Sequence, residues 1–66
     1  MDYTVDGKDQ FTDDNTLDAR EIMVRAGVDP ATHVLVRPDG TAYKDGDLVS
    51  IMNGDRYNTN WKRPLS

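Results

Sequence analysis

Apolar and polar residues alternate with a period of two at the start of the chain, which predicts a β-hairpin over residues 1–11. Tyr3 and Val5 are the apolar positions of the first strand, and their neighbours are polar. Asp6-Gly7 is a strong signal for a two-residue turn, because glycine tolerates a positive φ. The second strand is short and polar, with Phe11 as its one large apolar residue.

A short helix with signals at both ends is predicted between Leu17 and Pro30. Asp18 is placed as its N-cap, and Glu21 three residues later completes the pattern of a capping box. At the other end Gly27 can adopt the left-handed conformation, and the proline prevents continuation. A helix of two turns is not stable alone, since isolated helices need ~12–15 residues. We therefore expect it to pack against strands.

The second half of the chain predicts a hairpin and a final strand. Residues 33–37 are rich in β-branched side chains, and residues 41–43 return as a short partner strand after a Pro-Asp-Gly turn. The last strand runs over residues 56–61. Between them, residues 48–51 are apolar enough to require burial, but the pattern does not decide between a strand and a tight helical turn. Residues 12–16 predict a loop.

This order of elements is most simply closed as a mixed sheet in which the first and last strands pair in parallel. The resulting α+β architecture is a β-grasp, a four- to five-stranded mixed sheet packed on one short helix. The domain would span residues 1–61, followed by a flexible basic tail over residues 62–66. The expected core residues are Tyr3, Val5, Phe11, Leu17, Ile22, Ala26, Val34 or Leu35, Val36, Leu48, Ile51 and Tyr57.

Composition excludes several classes of function. The 66 residues carry 12 acidic and 8 basic side chains, and this net charge of −4 argues against nucleic-acid binding. The absence of cysteine excludes disulfides and thiolate metal sites. No apolar run approaches the ~18 residues of a membrane span, and the first residues do not resemble a signal peptide. We expect a monomeric cytoplasmic protein that does not bind membranes.

Candidate catalytic and metal-binding residues do not form a recognisable set. His33 has no second titrating group near it in sequence, and no Ser/His/Asp set or phosphate-binding loop is present. Asp13-Asp14 and Asp45-Gly46-Asp47 lack the spacing of a calcium loop, so we interpret them as solvated turns. The sequence therefore predicts a protein that is not an enzyme and that has no cofactor, metal or catalytic residue.

Four segments together resemble bacterial ubiquitin-like proteins of the type found as tandem multiubiquitin domains. They are Tyr-Thr-Val-Asp-Gly-Lys at residues 3–8, Leu-Asp-Ala-Arg-Glu-Ile at 17–22, Ala-Gly-Val-Asp-Pro at 26–30 and Asn-Gly-Asp-Arg-Tyr at 53–57. The resemblance runs from Tyr3 to Trp61. It implies a β-grasp protein modifier of a bacterial ubiquitination-like pathway. Its implied partners are activating-like and conjugating-like enzymes, and a deconjugating peptidase.

The end of the sequence departs from this family pattern. Ubiquitin and the β-grasp sulfur carriers end in Gly-Gly, whereas Pro64, Leu65 and Ser66 carry a ring or a side chain that a glycine-fitted channel would exclude. Three explanations stay open: an activating enzyme adapted to this tail, a precursor that needs processing, or a sequence cut short of its natural end. The candidate residues for partner binding and conjugation are Trp61, Lys62, Arg63, Pro64, Leu65 and Ser66.

Two further questions stay open at the sequence level. Trp61 either completes the core or is a partly exposed anchor for a partner. The alternative function is a noncovalent β-grasp module for protein–protein interaction, which would bind through its sheet face or an exposed edge strand. Asn58 and Asn60 lie on the outward face of the last strand, where ubiquitin-like binding would need an exposed aliphatic residue.

Overall fold

The computed structural model describes residues 1–62 as an α+β chain with six strands and one short helix. Its largest unit is a mixed four-stranded sheet, and a two-stranded sheet and the helix complete the core. In chain order the elements are β1 (Asp2–Val5), β2 (Lys8–Phe11), β3 (Thr16–Asp18), α1 (Ala19–Arg25), β4 (His33–Val36), β5 (Leu48–Ser50) and β6 (Asp55–Trp61).

The four-stranded sheet has the order β2-β1-β6-β4. Strands β1 and β6 are parallel and bring Tyr3 opposite Asp55 and Val5 opposite Tyr57. The pairs β1–β2 and β4–β6 are antiparallel. The predicted parallel pairing of the first and last strands is therefore confirmed, and the last strand occupies the interior of the sheet.

The predicted turn of the first hairpin is confirmed. Both central residues have positive φ, 52° at Asp6 and 81° at Gly7, as a two-residue hairpin turn requires. The turn sets a register in which Val5 pairs with Lys8 and Asp2 pairs with Phe11. All four residues of each strand are paired.

The helix begins as the sequence predicts, with one exception. The Asp18 carboxylate accepts a hydrogen bond from the Arg20 backbone N–H at 2.8 Å, so the N-cap is confirmed. Glu21 does not close a capping box. Its carboxylate accepts a hydrogen bond from Arg25 Nε at 2.9 Å, one turn further on, because an i, i+4 cation lies within reach on the same face.

The end of the helix is also confirmed. Gly27 has a φ of 79°, and its N–H donates to the Val24 carbonyl at 3.0 Å. The Val28 N–H donates to the Met23 carbonyl at 2.8 Å, which completes a Schellman motif. Val28 is partly buried against the core, so the chain folds back after the glycine.

A second, two-stranded sheet replaces the predicted loop at residue 16 and settles the segment that the sequence left open. Strands β3 and β5 are antiparallel, with Leu17 opposite Val49. Both of these side chains are buried, whereas Leu48 on the other face of β5 is 73% exposed. The expectation that Leu48 is a core residue is therefore wrong, because strand alternation points it away from its buried neighbour.

The returning arm of the second hairpin is much shorter than predicted. Residues 41–43 do not form a strand, and Ala42 makes a single antiparallel bridge to Val36. Two hydrogen bonds flank that bridge, Arg37 N–H to the Thr41 carbonyl at 2.9 Å and Tyr43 N–H to the Leu35 carbonyl at 2.8 Å. The chain then leaves β4 for a turn at residues 44–47.

The core lies between the helix and one face of the four-stranded sheet. Phe11 was expected there but is 63% exposed, because its register partner Asp2 lies on the opposite face from Tyr3 and Val5. Leu35 is buried in this core, whereas Val36 is buried on the other face of β4, opposite Asn58. The buried hydrophobic residues are Tyr3, Val5, Leu17, Ala19, Ile22, Met23, Ala26, Leu35, Val36, Val49, Ile51 and Tyr57.

Candidate functional site

The C-terminal end of β6 is the region that the sequence nominated for partner binding. Trp61 is the last residue of the strand and is 73% exposed, so it does not complete the core. Lys62 follows it, partly buried. The other nominated residues, Arg63, Pro64, Leu65 and Ser66, lie outside the described residues.

Trp61 is held in place by its neighbours across the sheet. Register places it opposite His33, and the two rings stack with centroids 4.2 Å apart and planes tilted by 37°. The His33 Nδ1 atom lies 2.8 Å from the Thr32 hydroxyl. The Lys62 N–H donates to the Thr32 carbonyl at 2.8 Å. The indole is therefore an exposed but oriented aromatic surface, a residue type that is enriched in binding hot spots.

Lys62 bridges from the end of β6 to the turn after the second hairpin. Its Nζ lies 3.0 Å from Asp45 Oδ2, with about a third of the lysine side chain and half of the aspartate side chain exposed. An exposed pair of this kind contributes about 0–1 kcal/mol to folding, so its main effect is geometric. The contact holds residue 45 next to the point where the chain leaves the sheet.

A groove of about 810 Å³ lies beside this contact. Its apolar lining includes Val34, Val36, Ala42 and Trp61, and Asn60 reaches it from β6. Lys44, Asp45 and Lys62 add charged groups at one side. The volume lies in the range of ordinary ligand sites, but the walls combine an apolar floor with a few surface charges rather than a set of converging polar groups.

The outer face of the sheet is polar along β6. Arg56, Asn58 and Asn60 are exposed on that face, as the alternation of the strand predicts. Their neighbours on β4 are Val36 opposite Asn58 and Val34 opposite Asn60. Val36 is buried beside Ala42, so an aliphatic patch does not extend across the strand pair.

Two buried tyrosines carry the perturbed titrating groups of the core. Burial raises the pKa of Tyr57 well above its usual value. The hydrogen bond that its hydroxyl donates to Asp55, at 2.9 Å, raises the pKa further. Asp55 Oδ2 also accepts from the Met52 N–H at 2.9 Å, which closes the turn before β6. Burial likewise raises the pKa of Tyr3, whose hydroxyl has no hydrogen-bond partner among residues 1–62.

Arg25 ties the helix to the loop before β3. It pairs with Glu21 and lies 3.9 Å from Asp14, and its Nη1 lies 3.4 Å from the buried Thr12 hydroxyl. The hydrogen bond that Arg25 donates to Glu21 raises the pKa of the guanidinium further. These contacts hold the loop against the helix. They do not place a nucleophile beside a general base, so they do not resemble a catalytic site.

The acidic side chains of the turn at residues 45–47 are engaged within the protein. Asp45 pairs with Lys62, and the Asp47 carboxylate accepts from the Lys44 N–H at 2.8 Å. Over residues 1–62 no group of three histidine, cysteine, aspartate or glutamate side chains could hold a metal ion. The single helix in that range is too short and too polar to cross a membrane.

Comparison with known proteins adds no family assignment. No protein-family model matches the chain, and none of the curated proteins or solved structures compared with it matches it. The resemblance to bacterial ubiquitin-like proteins therefore stays a prediction that rests on the four segments named above.

The structure adds exposed apolar residues that sequence reasoning misplaced or left aside. Phe11 and Leu48 were assigned to the core, and Met52 was given no role, yet each is more than 60% exposed. The exposure of Phe11 could have been predicted from the register of the first hairpin. A two-residue turn after Val5 places residue 11 on the face opposite Tyr3.

Proposed function

We propose that the chain is a β-grasp protein modifier of the ubiquitin-like kind. The observation that carries this proposal is the parallel pairing of β1 with β6, with the helix between them in the chain. This topology puts the last strand inside the sheet and delivers residues 61 and 62 at its end, ahead of residues 63–66. The four sequence segments that resemble bacterial ubiquitin-like proteins support the same function.

The modifier would act through the carboxylate of its tail. An activating enzyme would join that carboxylate to the AMP part of ATP and release pyrophosphate. An enzyme cysteine would then displace AMP to form a thioester, and an amine of the target would displace the thiol to form an amide. None of these steps needs a catalytic group from this chain, which supplies the surface that the enzymes recognise.

Trp61 and Lys62 would form the fixed part of that surface. The indole is exposed and oriented by its stacking on His33. Lysine and the arginine at position 63 place positive charge ahead of the carboxylate, which would steer the tail towards an acidic groove on the enzyme. The contact with Asp45 would hold the Lys62 side chain in place and offset part of its charge.

The experiment that tests the proposal is intact mass spectrometry under denaturing, non-reducing conditions. The chain is incubated with ATP and an adenylating enzyme of the ubiquitin-activating kind from the same organism, and a variant that lacks residues 63–66 serves as the tail control. We expect a covalent adduct with the intact tail only. If an enzyme shown to be active forms no adduct with the intact chain, the proposal fails for this form of the protein.

A matched pair of substitutions tests the role of the indole. Trp61→Ala should lower the rate of adduct formation at least tenfold, because it removes the exposed anchor beside the tail. Leu48→Ala is the control, since Leu48 is also 73% exposed but lies on β5. Equal rates for the two variants would contradict a role for Trp61 in recognition.

A further inference from the structure

Strand β2 forms an open edge of the four-stranded sheet. It is paired with β1 alone, and its outer side carries no other strand within residues 1–62. Met1 and Thr12 form a hydrogen-bonded backbone pair. In an antiparallel ladder such pairs recur at every second residue, so the N–H and C=O groups of Gln10 and Lys8 also point towards β1.

The same alternation directs the backbone groups of Asp9 and Phe11 outwards. Each contributes one N–H and one C=O to the open edge, and both residues are exposed. No hydrogen bond joins these four groups to any other part of the described chain. A strand of two or more residues could therefore pair here without displacing an existing contact.

The side chains along this edge define the chemistry of a partner. Asp9 and Phe11 lie on the outer face of the sheet, with Asp2 opposite Phe11 and Asp13 two residues further along the chain. None of these three aspartates takes part in an ion pair within residues 1–62. An aromatic ring that is 63% exposed thus lies beside carboxylates that form no ion pair, and Arg56 of β6 lines the same surface depression as Asp2 and Asp9.

We propose that the β2 edge takes an extended segment of a partner protein, with an apolar side chain opposite Phe11 and a basic side chain opposite Asp9. In antiparallel pairing these two partner residues are separated by one residue, with the apolar one nearer the N-terminus. Backbone hydrogen bonds would supply affinity, and the two side-chain pairs would supply specificity.

A second copy of this chain fits the edge less well than such a partner. If two β2 edges pair antiparallel, the outward N–H and C=O groups of one copy must face those of the other. This condition allows registers in which Asp9 of one copy lies opposite Phe11, Asp9 or Asp13 of the other. None of these registers supplies a cation to Asp9, and two of them oppose like charges. The charge pattern therefore favours a basic partner.

The test uses a synthetic peptide, Ser-Thr-Val-Thr-Arg-Thr-Ser, and the intact chain labelled with ¹⁵N. Titration followed by NMR should shift the amide signals of residues 8–11 in particular. Methylating the backbone nitrogens of the valine and arginine should weaken binding at least tenfold, because those N–H groups face the sheet. Methylating the two threonines that flank the arginine should leave binding within about threefold, since their N–H groups face away.

A charge exchange tests the side-chain pairing. Asp9→Arg should weaken binding of the arginine peptide at least fivefold and should bind the corresponding glutamate peptide more tightly than the parent chain does. Because Asp9 is exposed on an edge strand, the variant should keep its dispersed NMR spectrum.

Three results would overturn the proposal: no shift of the β2 signals at millimolar peptide, shifts centred on the groove beside β4, or β2 signals that depend on protein concentration without peptide. The last would assign the edge to a second copy. Neither ATP nor an activating enzyme is present, so failure here is separate from failure of the modifier function.

Discussion

The two hairpins of this protein begin with similar turn signals but end with different amounts of structure. Asp6-Gly7 is followed by a ladder in which all four residues of β2 pair with β1. Pro38-Asp39-Gly40 is followed by one bridge, between Val36 and Ala42. The difference shows that a turn sequence specifies a change of direction, whereas the length of the ladder depends on contacts made elsewhere.

The aspartates of the two turns show where those contacts are made. The Asp6 carboxylate accepts from the backbone N–H of Thr59 at 2.8 Å and also from its hydroxyl, 53 residues along the chain. The Asp6 N–H donates to the Tyr57 carbonyl at 2.9 Å. The Asp39 carboxylate accepts from the Thr41 N–H at 2.9 Å, within its own turn. The first turn is thus joined to the sheet, and the second is closed on itself.

Among the substitutions that test this difference between the turns, Asp6→Ala should have the largest effect on stability. It removes two hydrogen bonds to a charged acceptor and leaves alanine at a φ of 52°. We expect a loss of about 2–3 kcal/mol in the free energy of unfolding. Urea denaturation followed by far-UV circular dichroism measures it.

Asp39→Ala is the matched control for that substitution. Its carboxylate is bound only within the turn, so the free energy of unfolding should fall by clearly less than for Asp6→Ala. Equal losses for the two variants would show that the contact from Asp6 to β6 has no special role.

The turn glycines give a second, smaller contrast. Gly7 and Gly40 have φ values of 81° and 91°, and in both cases the space for a Cβ is open, so substitution by alanine introduces backbone strain without a clash. Gly7→Ala should cost about 1–2 kcal/mol in global unfolding. Gly40→Ala should appear mainly as faster hydrogen exchange of the Tyr43 amide, because its arm can detach locally.

A comparable drop in global stability for both glycine variants would contradict this distinction. It would mean that the returning arm at residues 41–43 unfolds together with the sheet, despite its single bridge. Gly7→Asn is a useful additional variant, because asparagine tolerates the left-handed conformation and should recover part of the loss.

Local sequence signals were sufficient to predict the elements that are stabilised by contacts between neighbouring residues. The Asp18 cap, the Gly27 end of the helix and the Asp6-Gly7 turn each depend on groups within a few residues. The parallel β1–β6 pair was predicted from the order of elements, because few arrangements close such a chain. The mixed four-stranded sheet could therefore be predicted from the sequence alone.

Elements that depend on partners far away in the sequence could not be predicted in the same way. Strand β3 exists because β5 pairs with it from 30 to 34 residues further along the chain, and neither segment has a strong pattern by itself. Leu48 was misplaced for the same reason, since its facing depends on that pairing. The contact of Lys62 with Asp45 and the stacking of Trp61 on His33 also join residues far apart in sequence.

Tyr57 links the two hairpins and provides the third prediction. Its ring lies 6.0 Å from Tyr3 of the first hairpin and 6.5 Å from Tyr43 of the second, and its hydroxyl donates to Asp55. Tyr57→Phe keeps the ring and removes this bond to a carboxylate. We expect a loss of about 1–2 kcal/mol in the free energy of unfolding at pH 7.

The pH dependence of that loss follows from the raised pKa of Tyr57. A raised pKa in the folded state gives stability that is fully present below the unfolded value, about 10, and that is lost as the pH rises towards the folded value. The difference in stability between the parent and Tyr57→Phe should therefore be constant from pH 7 to about 9 and shrink above pH 10. A difference that grows above pH 10 would contradict the assignment.

The smallest effect is expected within the second turn, where it is a titration rather than a change in global stability. The hydrogen bond from the Thr41 backbone holds the pKa of Asp39 below its usual value. A lowered pKa means that this contact is present above the ordinary aspartate value and is lost as the pH falls through the folded one. The Thr41 amide signal should titrate in NMR with its midpoint below that ordinary value, and Asp39→Asn should abolish the step. A midpoint at or above the ordinary value would show that the turn is not closed by this bond, and that the single bridge at Ala42 alone holds the returning arm.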